Sequence, residues 1–138
     1  MKFIARVDGF HLLEMLIVLA MIAVTTHWAY GNYRFAVAIE RRQEAIREIF
    51  YCSSALEDYA LTFFSYAEVS LQKLHMQPLV AGNSYYLQID LTDAHHYVIT
   101  ARPLGMQADI DRDCGTLIFS STGEKGVTGP GGWGHCWS

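Results

Sequence analysis

The sequence has few of the residues that usually build a catalytic or metal centre. Its 138 residues include three cysteines and three prolines, and charged residues make up 17% of the chain. The cysteines form no CxxC pair, which excludes a zinc ribbon and a thioredoxin-like motif. A nucleophile elbow, an HExxH motif, a phosphate-binding glycine loop and a convincing pair of catalytic carboxylates are also missing. We therefore expect no enzymatic activity, no bound metal and no cofactor.

An excess of positive charge is lacking as well. The formal net charge is -4, so the chain as a whole does not attract nucleic acid. Its basic cluster is interleaved with acidic residues, which is typical of a solvated mixed-charge helix face. The cluster consists of Arg41, Arg42 and Arg47 among Glu40, Glu44 and Glu48.

The long apolar run from residue 10 to residue 30 is the main feature that is present. As a helix it would be roughly 31 Å long, enough to cross the hydrocarbon core of a bilayer. Lys2 and Arg6 precede it, and the positive-inside rule then predicts a cytoplasmic N-terminus. Trp28 and Tyr30 lie where an interfacial aromatic belt is expected.

Two simpler explanations of this run are a cleaved secretory signal and a plain signal anchor. A cleaved secretory signal would need a small-residue cleavage site after the run, and the sequence has none there. A plain signal anchor would leave Glu14 unexplained, because inserting a carboxylate into the bilayer costs about 2.5–3.5 kcal/mol. An ionisable residue in such a segment indicates a function.

The rest of the chain predicts an α+β domain. Apolar residues at helical spacing over 34–74 predict that one long helix continues the membrane segment, with Gly31 as a point where it could bend. After Pro78 the period changes to two, which predicts antiparallel strands at 85–91, 96–101 and 115–120. The glycine-rich tail that follows is expected to form a loop without helix.

The helix carries aromatic residues whose spacing indicates core packing: Phe50, Tyr59, Phe63 and Phe64. Cys52 lies in the same helix and is expected to be a small buried core residue. Cys114 and Cys136 bracket the glycine-rich tail. This arrangement of three cysteines suggests one disulfide and one lone thiol.

Residues 9–14, Gly-Phe-His-Leu-Leu-Glu, resemble the type III signal and N-terminal helix of type IV pilins and pseudopilins. In that family a prepilin peptidase cuts after a leader glycine and methylates the new N-terminal residue, and a glutamate stands five residues in. The resemblance implies cleavage between Gly9 and Phe10 and N-methylation of Phe10. It also implies that Glu14 neutralises the α-amine of a neighbouring subunit and sets the axial register of the fibre.

The same resemblance implies a type IV pilin fold in three parts. Residues 1–9 would be the leader peptide, residues 10–33 the transmembrane and polymerisation helix, and residues 34–138 a periplasmic globular domain. Two positions depart from the family pattern. His11 replaces the usual threonine or serine, and Gly31 replaces a helix-kinking proline, although glycine also weakens a helix by about 1 kcal/mol.

The C-terminal half is similar to PilE-like minor pilins in residues 101–107 and 113–117 and in the Cys136-Trp137 pair. In those proteins the two cysteines are bonded, which implies a disulfide between Cys114 and Cys136 here. A loop of this size would gain roughly 3 kcal/mol from the bond.

The three aspartates Asp109, Asp111 and Asp113 raise the question of calcium, since some pseudopilins bind it in this part of the domain. An EF-hand loop counted from Asp109 would need glycine and glutamate where Cys114 and Ser120 stand. We therefore predict a solvated acidic loop. His95 and His96 are neighbours on a predicted strand and would point to opposite faces, so they do not form a metal site.

The leading hypothesis is therefore a minor pilin of a type IV pilus that supports pilus assembly, adhesion, twitching motility or DNA uptake. Its expected partners are other major and minor pilins, the prepilin peptidase, the inner membrane and the assembly machinery; after assembly it would be extracellular.

Three rival hypotheses stay open: a type II secretion pseudopilin, a DNA-binding subunit at the pilus tip, and a signal-anchored enzyme. DNA is not favoured as a partner, because three basic residues after Pro78 face five aspartates and one glutamate.

Overall fold

The computed structural model describes residues 12–138, and its longest element is the helix α1, Leu12–Phe63. The chain separates into two compact units, one that ends at Arg34 and one formed by Phe35–Ser138. The helix is continuous through Gly31. Gly9 and Phe10 lie outside the described residues.

The first unit presents its apolar side chains outward. Large residues such as Leu12, Leu19 and Trp28 are exposed, and Trp28 reaches 77%. An 18-residue window of α1 has a mean hydropathy of 1.8 and is 0% buried. The hydroxyl of Thr26 donates to the carbonyl of Ile22 one turn earlier, so this polar group is satisfied within the helix, as a lipid environment requires.

Within the second unit α1 buries one stripe of side chains against the globular domain. The buried residues recur at intervals of three and four, which places them on one helix face. They are Ala38, Arg42, Ala45, Ile46, Ile49, Cys52 and Leu56.

The predicted helix end near residue 74 is wrong, because α1 stops at Phe63. Phe64 adopts a positive φ of 55°, and its N–H donates to the carbonyl of Ala60 at 2.7 Å. A left-handed residue after the last turn is a common way for a helix to terminate. It is usually glycine, which explains why the hydrophobic pattern alone did not mark the end.

A five-stranded antiparallel sheet follows, in the spatial order β1-β2-β3-β4-β5. Its strands are β1 Leu79–Val80, β2 Tyr85–Leu91, β3 Tyr97–Pro103, β4 Leu117–Ser120 and β5 Lys125–Val127. Two short helices complete the domain, α2 Gly105–Ile110 and α3 Trp133–Cys136. The α+β class and the three predicted strands are confirmed.

The inner face of the sheet and the buried stripe of α1 form one hydrophobic core. Alternation along the strands places Tyr85, Leu87, Ile99 and Leu117 inside, and all four are fully buried. The intervening residues form the opposite side of the sheet, which we call the outer face. Its neighbouring residues on adjacent strands are Tyr86 with Arg102, Thr100 with Ile118, Ile118 with Gly126, and Val98 with Ser120.

Several expectations about local structure were wrong. The strands β1 and β5 were missed because they are only two and three residues long. The helices α2 and α3 occupy segments predicted as loops, and α3 forms despite the surrounding glycines. Phe50 packs on Phe119 and Trp137 as expected, whereas Phe63 and Phe64 are 61% and 85% exposed.

Candidate functional site

The C-terminal part of the globular unit is closed by a covalent bond. Cys114 and Cys136 form a disulfide with a Cα–Cα distance of 5.6 Å, as the family resemblance implied. The bond encloses residues 115–135, which we call the disulfide loop and which include β4, β5 and most of α3. Cys52 is the one free cysteine among the described residues and is buried. Burial raises the pKa of its thiol to about 12, so it stays protonated and unreactive.

A buried polar cluster attaches the segment that precedes the disulfide loop to α1. Arg42 forms an ion pair with Asp111, and Tyr85 donates its hydroxyl to the same carboxylate at 3.0 Å. Gln107 donates to the carbonyl of Ala38 at 2.9 Å. Burial, reinforced by the Asp111 carboxylate, raises the pKa of Tyr85, which keeps its hydroxyl a donor.

The guanidinium of Arg42 also lies against the disulfide. Its Nη1 is 3.2 Å from Sγ of Cys114, so one side chain of α1 contacts both the aspartate and the cysteine of this segment. The predictions that Arg42 belongs to a solvated face and Asp111 to a solvated loop are therefore wrong. Each is about 5–6% exposed, because each compensates the buried charge of the other.

The burial of Asp111 also affects whether the three aspartates could bind calcium together. Asp109 instead pairs with Arg112 at 3.2 Å on the surface, so the three aspartates do not converge. Across residues 12–138 no group of three or more histidine, cysteine, aspartate or glutamate side chains has the arrangement to hold a metal ion.

Three cations of the globular unit have no carboxylate partner among the described residues, one on α1 and two on the sheet. Ion pairs engage Arg41, Arg42, Lys73 and Arg112. In the described part of Phe35–Ser138, Arg47, Arg102 and Lys125 have no such pair. Arg102 belongs to the outer face and Lys125 to β5, at the edge of the same sheet.

Both of these sheet cations lie over aromatic rings. The ammonium of Lys125 is 5.4 Å from the ring centroid of Phe50 and 5.6 Å from that of Trp137. The guanidinium of Arg102 is 5.9 Å from the Tyr86 ring. A cation over an aromatic face keeps its full charge while its stem is held in place. Both charges are therefore presented to solvent without being neutralised.

A groove of about 790 Å³ lies at the β5 edge of the outer face. Its floor includes Val98, Ile118 and Gly126, and the indole of Trp133 forms part of its wall. Trp133 is 60% exposed. A cation, exposed aromatic rings and a groove on one sheet face are the features that nucleic-acid surfaces combine.

The comparison with known families identifies the kind of protein that carries this surface. The profile of a family described as type IV minor pilin ComP, DNA uptake sequence receptor, matches residues 31–118. The match covers well over half of the sequence. The chain belongs to this family of type IV minor pilins. No curated protein matches it in a direct sequence comparison.

As a minor pilin, the chain is a subunit of type IV pili and associates with other pilus subunits. The family is a structural one and not a family of enzymes. Its apolar N-terminal helix fits membrane anchoring and incorporation into a pilus. The pilus hypothesis is thus favoured over the secretion pseudopilin.

The residues predicted from sequence fall into two groups. Cys114 and Cys136 are brought together as expected, whereas Glu14 lies in the first turn of α1, far along the chain from the disulfide loop. Sequence reasoning missed Arg42 as a buried anchor and Trp133 and Lys125 as surface residues. The sequence shows the charges of Arg42 and Lys125, but only distances in the structure distinguish a paired cation from an unpaired one.

Proposed function

We propose that this minor pilin is a receptor for DNA during DNA uptake, with the outer face of the sheet and the disulfide loop as its contact surface. The family description, which names a DNA uptake sequence receptor, is the observation that carries the proposal. Our ranking of DNA binding behind other roles depended on counting charges without regard to where they lie.

The location of the unpaired cations supports DNA binding more than the number of charges does. Of the acidic residues after Pro78, Asp111 is buried with Arg42 and Asp109 pairs with Arg112, whereas Asp90, Asp113 and Glu124 have no ion pair in the described part of the chain. Arg102 and Lys125 have no carboxylate partner in the described part of the chain. These cations lie on the sheet and its β5 edge, where they would contact phosphate oxygens.

We further propose the processing and assembly route that the pilin signal implies. Cleavage after Gly9, methylation of Phe10 and insertion of residues 10–33 would leave the globular domain in the periplasm before polymerisation. The exposed apolar side chains of α1 support this route, since they have no partner within residues 12–34. Glu14 is exposed in the first turn of α1 and has no ion pair among the described residues.

The receptor function is tested with the full-length chain in detergent micelles. A pool of duplexes with a random core sequence is passed over the immobilised protein, and the retained duplex is compared with a scrambled duplex of the same composition. We expect selective retention of the first. Failure to retain any duplex above empty micelles would refute the proposal.

Charge variants then test the location of the contact surface. Arg102→Gln and Lys125→Gln should each weaken binding of the retained duplex and reduce the salt dependence of log K by about one phosphate contact. Arg112→Gln removes the same charge from a guanidinium already paired with Asp109. It is the matched control and should leave affinity nearly unchanged. Equal losses in all three variants would mean that only net charge matters.

A further inference from the structure

The groove beside Trp133 has a lining that suits an uncharged planar group. Val98 and Ile118 supply apolar surface, Ser120 supplies a hydroxyl, and the backbone of Gly126 leaves the floor open. The ionisable lining residues are Glu124 and Lys125, whose formal charges cancel. The volume of about 790 Å³ falls in the range of roughly 300–1,000 Å³ in which small ring-containing ligands bind.

The backbone of Trp133 is fixed within α3, and its ring is exposed. It begins α3, where Trp137 N–H donates to its carbonyl at 2.9 Å, and the same short helix ends at the disulfide-bonded Cys136. The indole of Trp137 is anchored to the carbonyl of Gly126 at 3.0 Å. Within residues 12–138, Trp133 pairs with no other aromatic ring. An exposed indole at the groove without an aromatic partner is available for stacking on a planar ligand.

We propose that this groove binds one nucleobase that leaves the stack of the bound DNA, with Trp133 stacking on its ring. The proposal rests on the receptor function proposed above and specifies its mode of recognition. The lining has no net formal charge, which fits a base and does not fit a phosphate. The ammonium of Lys125, held over Phe50 and Trp137 at the edge of the groove, suits the backbone beside the base. Base–aromatic stacking contributes strongly and needs no basic pocket.

The test uses the full-length protein in micelles and the duplex retained in the selection. At each position in turn, the base on the complementary strand is replaced. The base under test then keeps its identity but loses its Watson–Crick partner. Unpairing lowers the cost of extruding a base. Wild-type protein should bind more tightly when one particular base is mismatched. With 2-aminopurine at that position, the fluorescence should change on binding.

Three variants examine the groove. Trp133→Ala should bind this mismatched duplex about 5- to 150-fold more weakly, the range expected for one stacked base, and should no longer respond to the mismatch. Trp133→Phe keeps a ring and should retain most of the affinity. Gly126→Val leaves the indole in place but fills the floor; a Cβ there would lie 3.5 Å from Cβ of Ile118, an ordinary contact, so the domain should fold.

Tyr51→Ala is the matched control, since it removes an aromatic ring that is 64% exposed on α1 and does not line this groove. It should bind as wild type. Near-ultraviolet circular dichroism and an intact disulfide establish that each variant is folded.

The outcomes separate the two proposals. If the wild type binds duplex but Trp133→Ala and Gly126→Val bind as tightly and respond to the same mismatch, the base-binding groove is wrong and the receptor function stands. If both variants instead reduce incorporation into sheared pili without altering DNA affinity, the groove holds a neighbouring subunit and the proposal is also wrong. If the wild type binds no duplex, both proposals fail.

Discussion

Glu14 and Arg42 are two charged residues on the same helix, and their partners differ. Arg42 finds Asp111 and Cys114 within its own chain and is buried. Glu14 is exposed and has no ion pair in residues 12–138. A buried charge with a partner in the same chain contributes to the stability of the fold, because removing either member of the pair leaves the other charge buried and uncompensated. A charge without one points to a partner outside the chain.

Breaking the internal pair should have the largest effect on stability. Arg42→Ala would leave the carboxylate of Asp111 buried without its cation, at a cost of about 3–5 kcal/mol in the free energy of unfolding. Chemical denaturation of the full-length chain in detergent, followed by near-ultraviolet circular dichroism, measures it. Arg112→Ala breaks an exposed pair of the same type and should cost at most about 1 kcal/mol.

If Arg42→Ala and Arg112→Ala destabilised the protein equally, the Arg42 cluster would not anchor the disulfide loop. The double change Arg42→Met with Asp111→Leu sharpens the test. It removes both buried charges together and should recover much of the lost stability, as apolar replacement of a buried pair often does.

Reduction of the disulfide should rank next. Its cysteines are 22 positions apart, and opening a loop of this size costs about 3 kcal/mol by the chain-entropy estimate. The same denaturation experiment, with and without a phosphine reductant, gives the difference. A Cys114→Ser/Cys136→Ser variant is the control, since added reductant should not destabilise it further. A reductant effect of the same size in that variant would assign the loss to something other than this bond.

Glu14→Ala should change the stability of the globular unit least of all. The core of Phe35–Ser138 contains no group contributed by the first turn of α1, so the unfolding midpoint should not move. In the fibre, by contrast, the amine of a neighbouring Phe10 would lose its partner. The ratio of this subunit in sheared pili to that in membranes should therefore fall, most severely beside wild-type neighbours.

An unchanged ratio of pilus to membrane subunit would show that Glu14 does not set the axial register of the fibre. The lack of an internal partner for Glu14 would then not indicate a partner in another subunit. A lowered midpoint would show that Glu14 contributes to folding after all.

Much of the candidate surface lay beyond sequence reasoning for a physical reason. Arg42 and Arg41 are neighbours in a mixed-charge stretch, yet one is buried with Asp111 and the other pairs with Glu44 on the surface. A helix rotates by about 100° per residue, so adjacent charges face different environments. Which of them is buried depends on residues some 70 positions away, and the periodicity of one element carries no such information.

The sequence by itself determined the features that depend on local order. The apolar run, the glutamate within it, the period-two strands and the paired cysteines at the ends of a glycine-rich segment are properties of neighbouring residues, and they were sufficient to predict the pilin family and the α+β fold. The tertiary structure decided where α1 ends, since Phe64 takes a left-handed conformation that its side chain does not favour. It also decided which cations stay free, because the partner of a charge is chosen by the folding of distant segments onto one another.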